Sequence, residues 1–228
     1  MLERWPRLSP VNPAPRSSSA ARRAASLAFS EAYVPETPLA EYAREAAARL
    51  GVEPVSPGTA ALLGLLARIT NANSVVEIGT GTGVSSLALL TGMNPSGILT
   101  SIDIENEHQV EARAVLSEAG IPNRRARLIA GPALTVLPKL NDGAYDMVFV
   151  DGDPLEYVEY VAQAARLLRS GGVLALYHAF ENDTVANTAD ESDNAVIIRE
   201  ALQALNEMEE YSPALIPVGD GLAVAIRN

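Results

Sequence analysis

The chain has 228 residues, 48% of them hydrophobic and 20% charged, enough apolar side chain to bury the core of one domain and to exclude disorder over most of its length. Seventeen Lys and Arg stand against 28 Asp and Glu, a net charge of −11, so the mean surface field repels phosphate polymers, and neither nucleic acid nor an anionic membrane is expected as a partner. There is no cysteine, the only histidines are His108 and His178, and Lys139 is the single lysine, which excludes disulfides, thiolate zinc sites, thiol nucleophiles and an all-imidazole metal cage.

Residues 1–30 read as an N-terminal arm. Met1 to Pro15, with four prolines and Trp5, is expected to lie extended on the body or on a partner subunit, or else to be disordered. No apolar stretch of roughly 7–15 residues follows Arg16, Arg22 and Arg23, so the arm lacks the build of an export signal. Residues 31–228 read as one domain. Between 37 and 50, Leu39, Tyr42, Ala43, Ala46, Ala47 and Leu50 recur at helical spacing and predict a helix ended by Gly51. A second helix is expected from Pro57 to Ile69, with Asn71 and Asn73 beyond it. Short apolar runs then predict strands at 74–78, 97–102, 127–130, 147–150, 173–177, 214–218 and 222–226, with helices at 84–91, 105–119, 134–140, 155–168 and 195–209. Runs without polar alternation are what strands covered on both faces require. The fold class is therefore α/β, a doubly wound, Rossmann-like, mainly parallel sheet. Gly219, Asp220 and Gly221 join the last two runs without a helix, which makes a hairpin and one antiparallel C-terminal strand. No run reaches the ~20 apolar residues of a spanning helix, and together with the lack of cysteine this predicts a soluble, cytoplasmic protein.

The stretch VVEIGTGTGVSS from Val75 to Ser86 closes the first strand and opens a helix. In an open α/β sheet, the crevice at the carboxyl ends of the strands is where a nucleotide-like ligand binds. A dinucleotide fingerprint would need glycine at position 84, where Val84 stands, and a phosphate loop would need Gly-Lys-Ser/Thr, which is absent. Glu77, Gly79, Gly81 and Gly83 suit a ligand without pyrophosphate that the backbone approaches closely. Asp103, twenty residues after Gly83, closes the second strand where an acidic side chain takes both hydroxyls of a ribose. Glu77 and Asp151 fall near the ends of the first and fourth strands, suited to an ammonium group. Ribose, adenine, ammonium and carboxylate together describe S-adenosylmethionine. The plainer alternative is that the glycines only make a tight turn.

From about Ala32 to its end the chain resembles a class I S-adenosylmethionine-dependent methyltransferase, and within that class the O-methyltransferases of the catechol and caffeoyl-CoA type with their bacterial members. The matching pieces are Val55-Ser56-Pro57, VVEIGTGTGVSSL from Val75, Thr100-Ser101-Ile102-Asp103, Gly131-Pro132-Ala133, YDMVFVDGD from Tyr145, LLRSGG from Leu167 and LIPVGDGLAVA from Leu215. The resemblance implies a seven-stranded methyltransferase sheet with its last strand reversed, a homodimer, and methyl transfer to a hydroxyl of a small-molecule substrate. It carries cofactor roles to Val55, Glu77, Gly79, Thr80, Ser85, Asp103, Ile104, Gly131, Pro132 and Ala133. Ser85 would hold the methionine carboxylate, Asp103 the ribose, Ile104 and Ala133 would flank adenine, and Asp153 would sit near the methionine end.

The same resemblance implies a divalent cation held by an Asp and a later Asp-Asn pair, with a lysine three residues after the first Asp. The first Asp is Asp151, but the pair aligns with Tyr177-His178 and the lysine position is Pro154. One carboxylate and an imidazole make a poor Mg²⁺ site, so metal dependence is doubted and no metal ligands are assigned. Asn182-Asp183 and Asp193-Asn194 lie past the strand end and are not taken as replacements. His178, at the carboxyl end of the fifth strand, then becomes the candidate general base, with a hydrogen-bonded structural histidine as the alternative. Asp151 is the second catalytic candidate, and Asp151, Tyr177 and His178 are the candidate substrate-pocket residues. His108 is expected to be solvated. Arg124, Arg125 and Arg127 are expected to pair with surface carboxylates or to meet an anionic substrate tail. Two rival functions remain: a cofactor-binding sensor or assembly partner with lapsed catalysis, and a nicotinamide-dependent oxidoreductase, which Val84 disfavours.

Overall fold

Apolar runs bounded by glycine, asparagine and proline become the strands of a single sheet in the computed structural model, which describes residues 18–228. Strands β1 (Ser74–Ile78), β2 (Ile98–Asp103), β3 (Ala126–Ala130), β4 (Tyr145–Val150) and β5 (Leu168–Leu176) pair in parallel. Strand β7 (Leu222–Arg227) is antiparallel both to β5 and to β6 (Tyr211–Ile216). The order across the sheet is β3-β2-β1-β4-β5-β7-β6, so β7 alone is reversed, as expected. Strand order turns back between β1 and β4, the kind of switch point at which such sheets bind ligands.

Because side chains alternate across a strand, the sheet feeds two cores. Val75, Met147, Phe149, Ala175 and Val224 face one layer, made by α2 (Pro38–Leu50), α3 (Pro57–Ile69), α4 (Val84–Gly92) and α5 (Asn106–Glu118). Val76, Val148, Val150, Leu174 and Leu176 face the other, where α7 (Tyr157–Leu167) and α8 (Asp193–Glu207) lie, with the single turn α6 (Ala133–Val136) and its 3₁₀ extension Leu137–Lys139. The helix starts follow local chemistry. Thr37 Oγ1 accepts from Ala40 N–H at 3.2 Å and Ser56 Oγ from Thr59 N–H at 3.1 Å, each just before a proline, as N-caps do.

Three elements differ from the sequence reading. Residues 19–31 form helix α1 (Ser19–Glu31), capped by Ser18, where an arm was expected. None of its residues is buried, so its few apolar side chains carried no core-facing stripe to read. The expectation for Met1 to Pro15 lies outside the described residues. Strand β6 begins at Tyr211 because it is an edge strand, where Pro213 loses no ladder bond. Strand β5 begins at Leu168, ahead of the expected Val173, and includes the Ser-Gly-Gly stretch that carried no strand signal. The end of α1 is clasped to distant parts of the chain: Glu31 Oε2 accepts from Gly58 N–H and Oε1 from Gly219 N–H, both at 2.8 Å. Burial raises this carboxyl, but the N–H groups of Gly219 and Gly58, the Ser56 hydroxyl and the Arg44 charge outweigh it and hold the group below its ordinary value. No helix among the described residues is long and apolar enough to cross a membrane.

Candidate active site

The carboxyl ends of β1, β2 and β4 open into a cavity of about 330 Å³. Val55, Gly79, Thr80, Ser85, Asp103, Ile104, Gly131, Pro132, Ala133, Asp151 and Asp153 all line it. These residues come from five separate stretches of chain, and parallel pairing in register is what brings their strand ends together.

The turn after β1 is made by glycine for a reason visible at Gly79. Its φ is +91°, and a Cβ there would lie 1.9 Å from the carbonyl oxygen of Asp151, so the two strand-end backbones touch without a side chain between them. Asp103 shapes the other side of the turn: Oδ2 accepts from Gly81 N–H and Oδ1 from Glu105 N–H, both at 2.8 Å. Thr80 is pinned beneath by Ser101 Oγ at 2.6 Å and Gln109 Nε2 at 3.1 Å. Ser85 stands in the first turn of α4, where free N–H groups and the helix dipole favour an anion.

Two expectations about this half are corrected. Glu77 does not reach the cavity; it is fully buried under the turn, where Oε2 accepts from Ser101 Oγ at 2.6 Å and from Ser86 Oγ. Burial pushes its carboxyl up to about 7 despite those hydroxyls. It supports the turn from inside. His108 is not a surface residue at large: it lines the cavity, with Nδ1 3.6 Å from Asp103 Oδ1. A histidine five residues after a strand-end Asp, on the first turn of a helix, was the available signal.

At the other end of the cavity Asp151 follows β4 with its side chain 14% exposed. Burial pushes its carboxyl up to about 7, with the His178 charge pulling part of the way back. His178 follows β5. Its Nε2 lies 3.4 Å from Asp151 Oδ1 and its Nδ1 2.8 Å from Asp220 Oδ2. The sequence reading put the imidazole on the cavity wall; it stands instead behind Asp151, between two carboxylates. Tyr177 is also corrected: it is 4% exposed, and its hydroxyl takes the N–H groups of Ser56 and Asp220 at 3.4 Å each, so it braces the loops and does not face an acceptor. Asp220 was missed. It was read as a turn residue, although an Asp flanked by two glycines inside a matching motif was the signal. Asp153 Oδ1 caps the 3₁₀ turn Pro154–Glu156 through Leu155 N–H at 3.0 Å. Arg125 reaches the carbonyls of Gly97, Leu90 and Asn94, a structural role that removes it from any substrate tail.

The residues present do not fit a family-type Mg²⁺ site. Pro154 opens a 3₁₀ turn where the lysine would stand, and Lys139 lies on the 3₁₀ extension of α6, outside the cavity lining. Among the described residues, one group of possible ligands gathers, His178, Glu181 and Asp220, with atoms within 4.8 Å. Both Asp220 oxygens are engaged, by His178 and by Asn182 N–H at 2.9 Å, and Glu181 Oε1 accepts from Asn194 Nδ2 at 2.8 Å. An imidazole with two carboxylates already in use is not the oxygen-rich cage a hard cation needs.

Residues 31–228 match the family model described as O-methyltransferase. A Mycobacterium ulcerans (strain Agy99) protein, provisionally named an O-methyltransferase, is 43% identical over 201 residues, covering 88% of this chain and 90% of its own. A relative from Mycobacterium sp. (strain JLS) with the same name is 42% identical over 214 residues, covering 94% and 97%. Among solved structures, the O-methyltransferase TomG from Streptomyces achromogenes, involved in tomaymycin synthesis and determined in complex with S-adenosylmethionine, has a TM-score of 0.83 at 27% identity, covering 93% of this chain and 100% of its own. The Bacillus cereus O-methyltransferase in complex with S-adenosylhomocysteine, at 23% identity, a TM-score of 0.81 and coverage of 90% and 97%, shows the same fold. With the match running from Glu31 through the glycine turn, Asp103 and Asp151 to the closing hairpin, the chain belongs to the O-methyltransferase family of S-adenosylmethionine-dependent enzymes.

Proposed function

We propose that this protein moves the methyl group of S-adenosylmethionine to a hydroxyl oxygen of a small-molecule acceptor without help from a divalent cation. The observation that carries this reading is that one cavity runs from the Asp103 turn to Asp151. S-adenosylmethionine supplies an electrophilic methyl on a sulfonium sulfur. Asp103 would accept the ribose hydroxyls, Ile104 and Ala133 would flank the adenine, Ser85 with the start of α4 would take the carboxylate, and Asp153 would face the methionine end. In-line transfer needs the acceptor oxygen aligned and stripped of its proton. Asp151 is the cavity-facing group placed to receive that proton, with His178 immediately behind it to share it.

A cytoplasmic homodimer belongs to the same reading. A 13-residue helix with no buried residue is marginal by itself in water, and Leu27, Phe29, Tyr33 and Val34 are exposed on and just after it. A second copy of the chain is the natural cover for them. Light scattering on a chain lacking residues 1–15 tests the part the N-terminal segment plays.

Turnover to S-adenosylhomocysteine across a panel of phenolic and aliphatic hydroxyl acceptors, with Mg²⁺ and with chelator, tests the reaction. Product formation indifferent to chelator is expected. Tight S-adenosylmethionine binding with no turnover on any acceptor would replace the enzyme by a cofactor-binding sensor, and preference for NAD in calorimetry would overturn the cofactor.

A further inference from the structure

His178 is held between two carboxylates far from it in sequence, with the neighbouring Tyr177 ring against it. Nδ1 lies 2.8 Å from Asp220 Oδ2, Nε2 lies 3.4 Å from Asp151 Oδ1, and the ring centroid is 4.4 Å from that of Tyr177. Asp220 acts as an acceptor on both oxygens, since Oδ1 receives the N–H of Asn182 at 2.9 Å. An ionised carboxylate can only accept. Both ring nitrogens face a carboxylate, and the shorter contact, 2.8 Å to Asp220 against 3.4 Å to Asp151, is the one that takes the single proton of a neutral ring, on Nδ1, with Nε2 unprotonated toward Asp151.

The turn that carries Asp220 is locked to the loop that carries His178. Phe180 N–H donates to Asp220 O at 2.9 Å and Ala179 N–H to Gly221 O at 3.2 Å. A Cβ at Gly221 would meet the Phe180 ring at 2.7 Å, so only glycine lets the two segments close. His178 itself has φ +53°, a left-handed conformation that non-glycine residues seldom adopt, and this network is what sustains it. The other titratable groups beside the imidazole are Glu181 on its own loop and Tyr177, whose ring packs on it. Tyr157, on α7, has its hydroxyl pushed well up by burial and by the charges of Asp151, Glu181 and Asp220.

We infer that Asp220 is a positioning residue for methyl transfer: it holds the His178 imidazole in the Nδ1–H tautomer, so that Nε2 receives the proton that Asp151 takes from the acceptor hydroxyl. The inference rests on the transfer reading above. In the step, the acceptor O–H bond breaks and its electron pair stays on oxygen as the O–CH₃ bond forms. The C–S bond breaks with its pair going to sulfur, and the proton ends on Nε2 of an imidazolium paired with Asp220, to be released to solvent.

Asp220→Asn keeps the shape of the side chain and one carbonyl oxygen for the Asn182 N–H. With only two histidines in the chain, ring-nitrogen NMR reads the tautomer directly, the signals being assigned by their loss in His178→Gln, and it needs no acceptor. In the wild type His178 is expected to be protonated at Nδ1 and bare at Nε2, and in Asp220→Asn to lose that preference. On any acceptor that turns over, kcat should fall by about 10²-fold or more while the Kd for S-adenosylmethionine stays within about threefold, as happens when an imidazole loses the carboxylate that orients it. An unchanged tautomer in Asp220→Asn overturns the proposal. So does a parallel fall in kcat and cofactor affinity, which would mark a merely structural residue, and so does Mg²⁺-supported activity that a chelator abolishes. If no acceptor turns over, the transfer reading fails, while the tautomer measurement still judges Asp220.

Discussion

Replacing Asp103 by Ala removes a carboxylate that already serves the N–H groups of Gly81 and Glu105, each at 2.8 Å, with His108 Nδ1 at 3.6 Å. Each oxygen has two lone pairs, so the bound backbone groups leave one on each for the two ribose hydroxyls. A hydrogen bond to a charged group contributes about 1.5–3 kcal/mol. Two of them, taken at the lower end because water serves the free ligand equally well, amount to about 3 kcal/mol, or roughly 10²-fold in Kd for S-adenosylmethionine. Asp103→Asn, which keeps one acceptor oxygen, should lose roughly tenfold by the same reasoning. Isothermal titration calorimetry measures both. Thermal unfolding of the ligand-free proteins separates ligand contact from damage to the turn, because the N–H groups of Gly81 and Glu105 lose their acceptor in the Ala variant. Binding by Asp103→Ala within about threefold of wild type, against the expected 10²-fold, would show that the ribose is not held here and refute the placement of the cofactor.

Two further expectations rest on the same region. Gly79→Ala forces a left-handed backbone on alanine, about 1–2 kcal/mol, and drives a Cβ into the Asp151 carbonyl at 1.9 Å; denaturant titration should show a loss of about 3 kcal/mol or more, and an unchanged midpoint would contradict the close approach. Glu77 is an acid whose folded pKa is raised by burial, from 4.5 to about 7, so its contribution is fully present below its unfolded value and is lost as pH rises through about 7. Wild-type stability should decline across that window relative to Glu77→Gln, by up to about 3 kcal/mol, as measured by unfolding at several pH values, and parallel pH curves for the two proteins would refute the assignment.

Strands β1, β2 and β4 were legible because a strand buried on both faces needs a continuous apolar run, and runs such as Val148-Phe149-Val150 are buried throughout. The cofactor turn was legible for a similar reason: Gly79, Gly81 and Gly83 all adopt positive φ, and the geometry imposes the residue. Elsewhere the information is tertiary. Asp220 and His178 are 42 residues apart, and nothing local distinguishes an Asp that orients an imidazole from one that merely turns a hairpin. His108 looked solvated because its helix is polar, yet the helix start falls against Asp103. Helix α1 was invisible because the signal for a helix is the face it buries, and α1 buries none within its own chain.

The Glu31 carboxylate has a consequence for how the chain can be cut. By accepting from Gly58 and Gly219, 188 residues downstream, it works as a non-covalent latch between the chain's beginning and its final hairpin. Gly219 is also the neighbour of Asp220, the residue that holds the imidazole. Trimming that stops short of α1 leaves the latch intact, whereas trimming past Glu31 releases a support of the proton path together with any subunit contact. A chain trimmed short of α1 therefore keeps the Glu31 latch, whereas one trimmed past Glu31 loses the latch and α1 together.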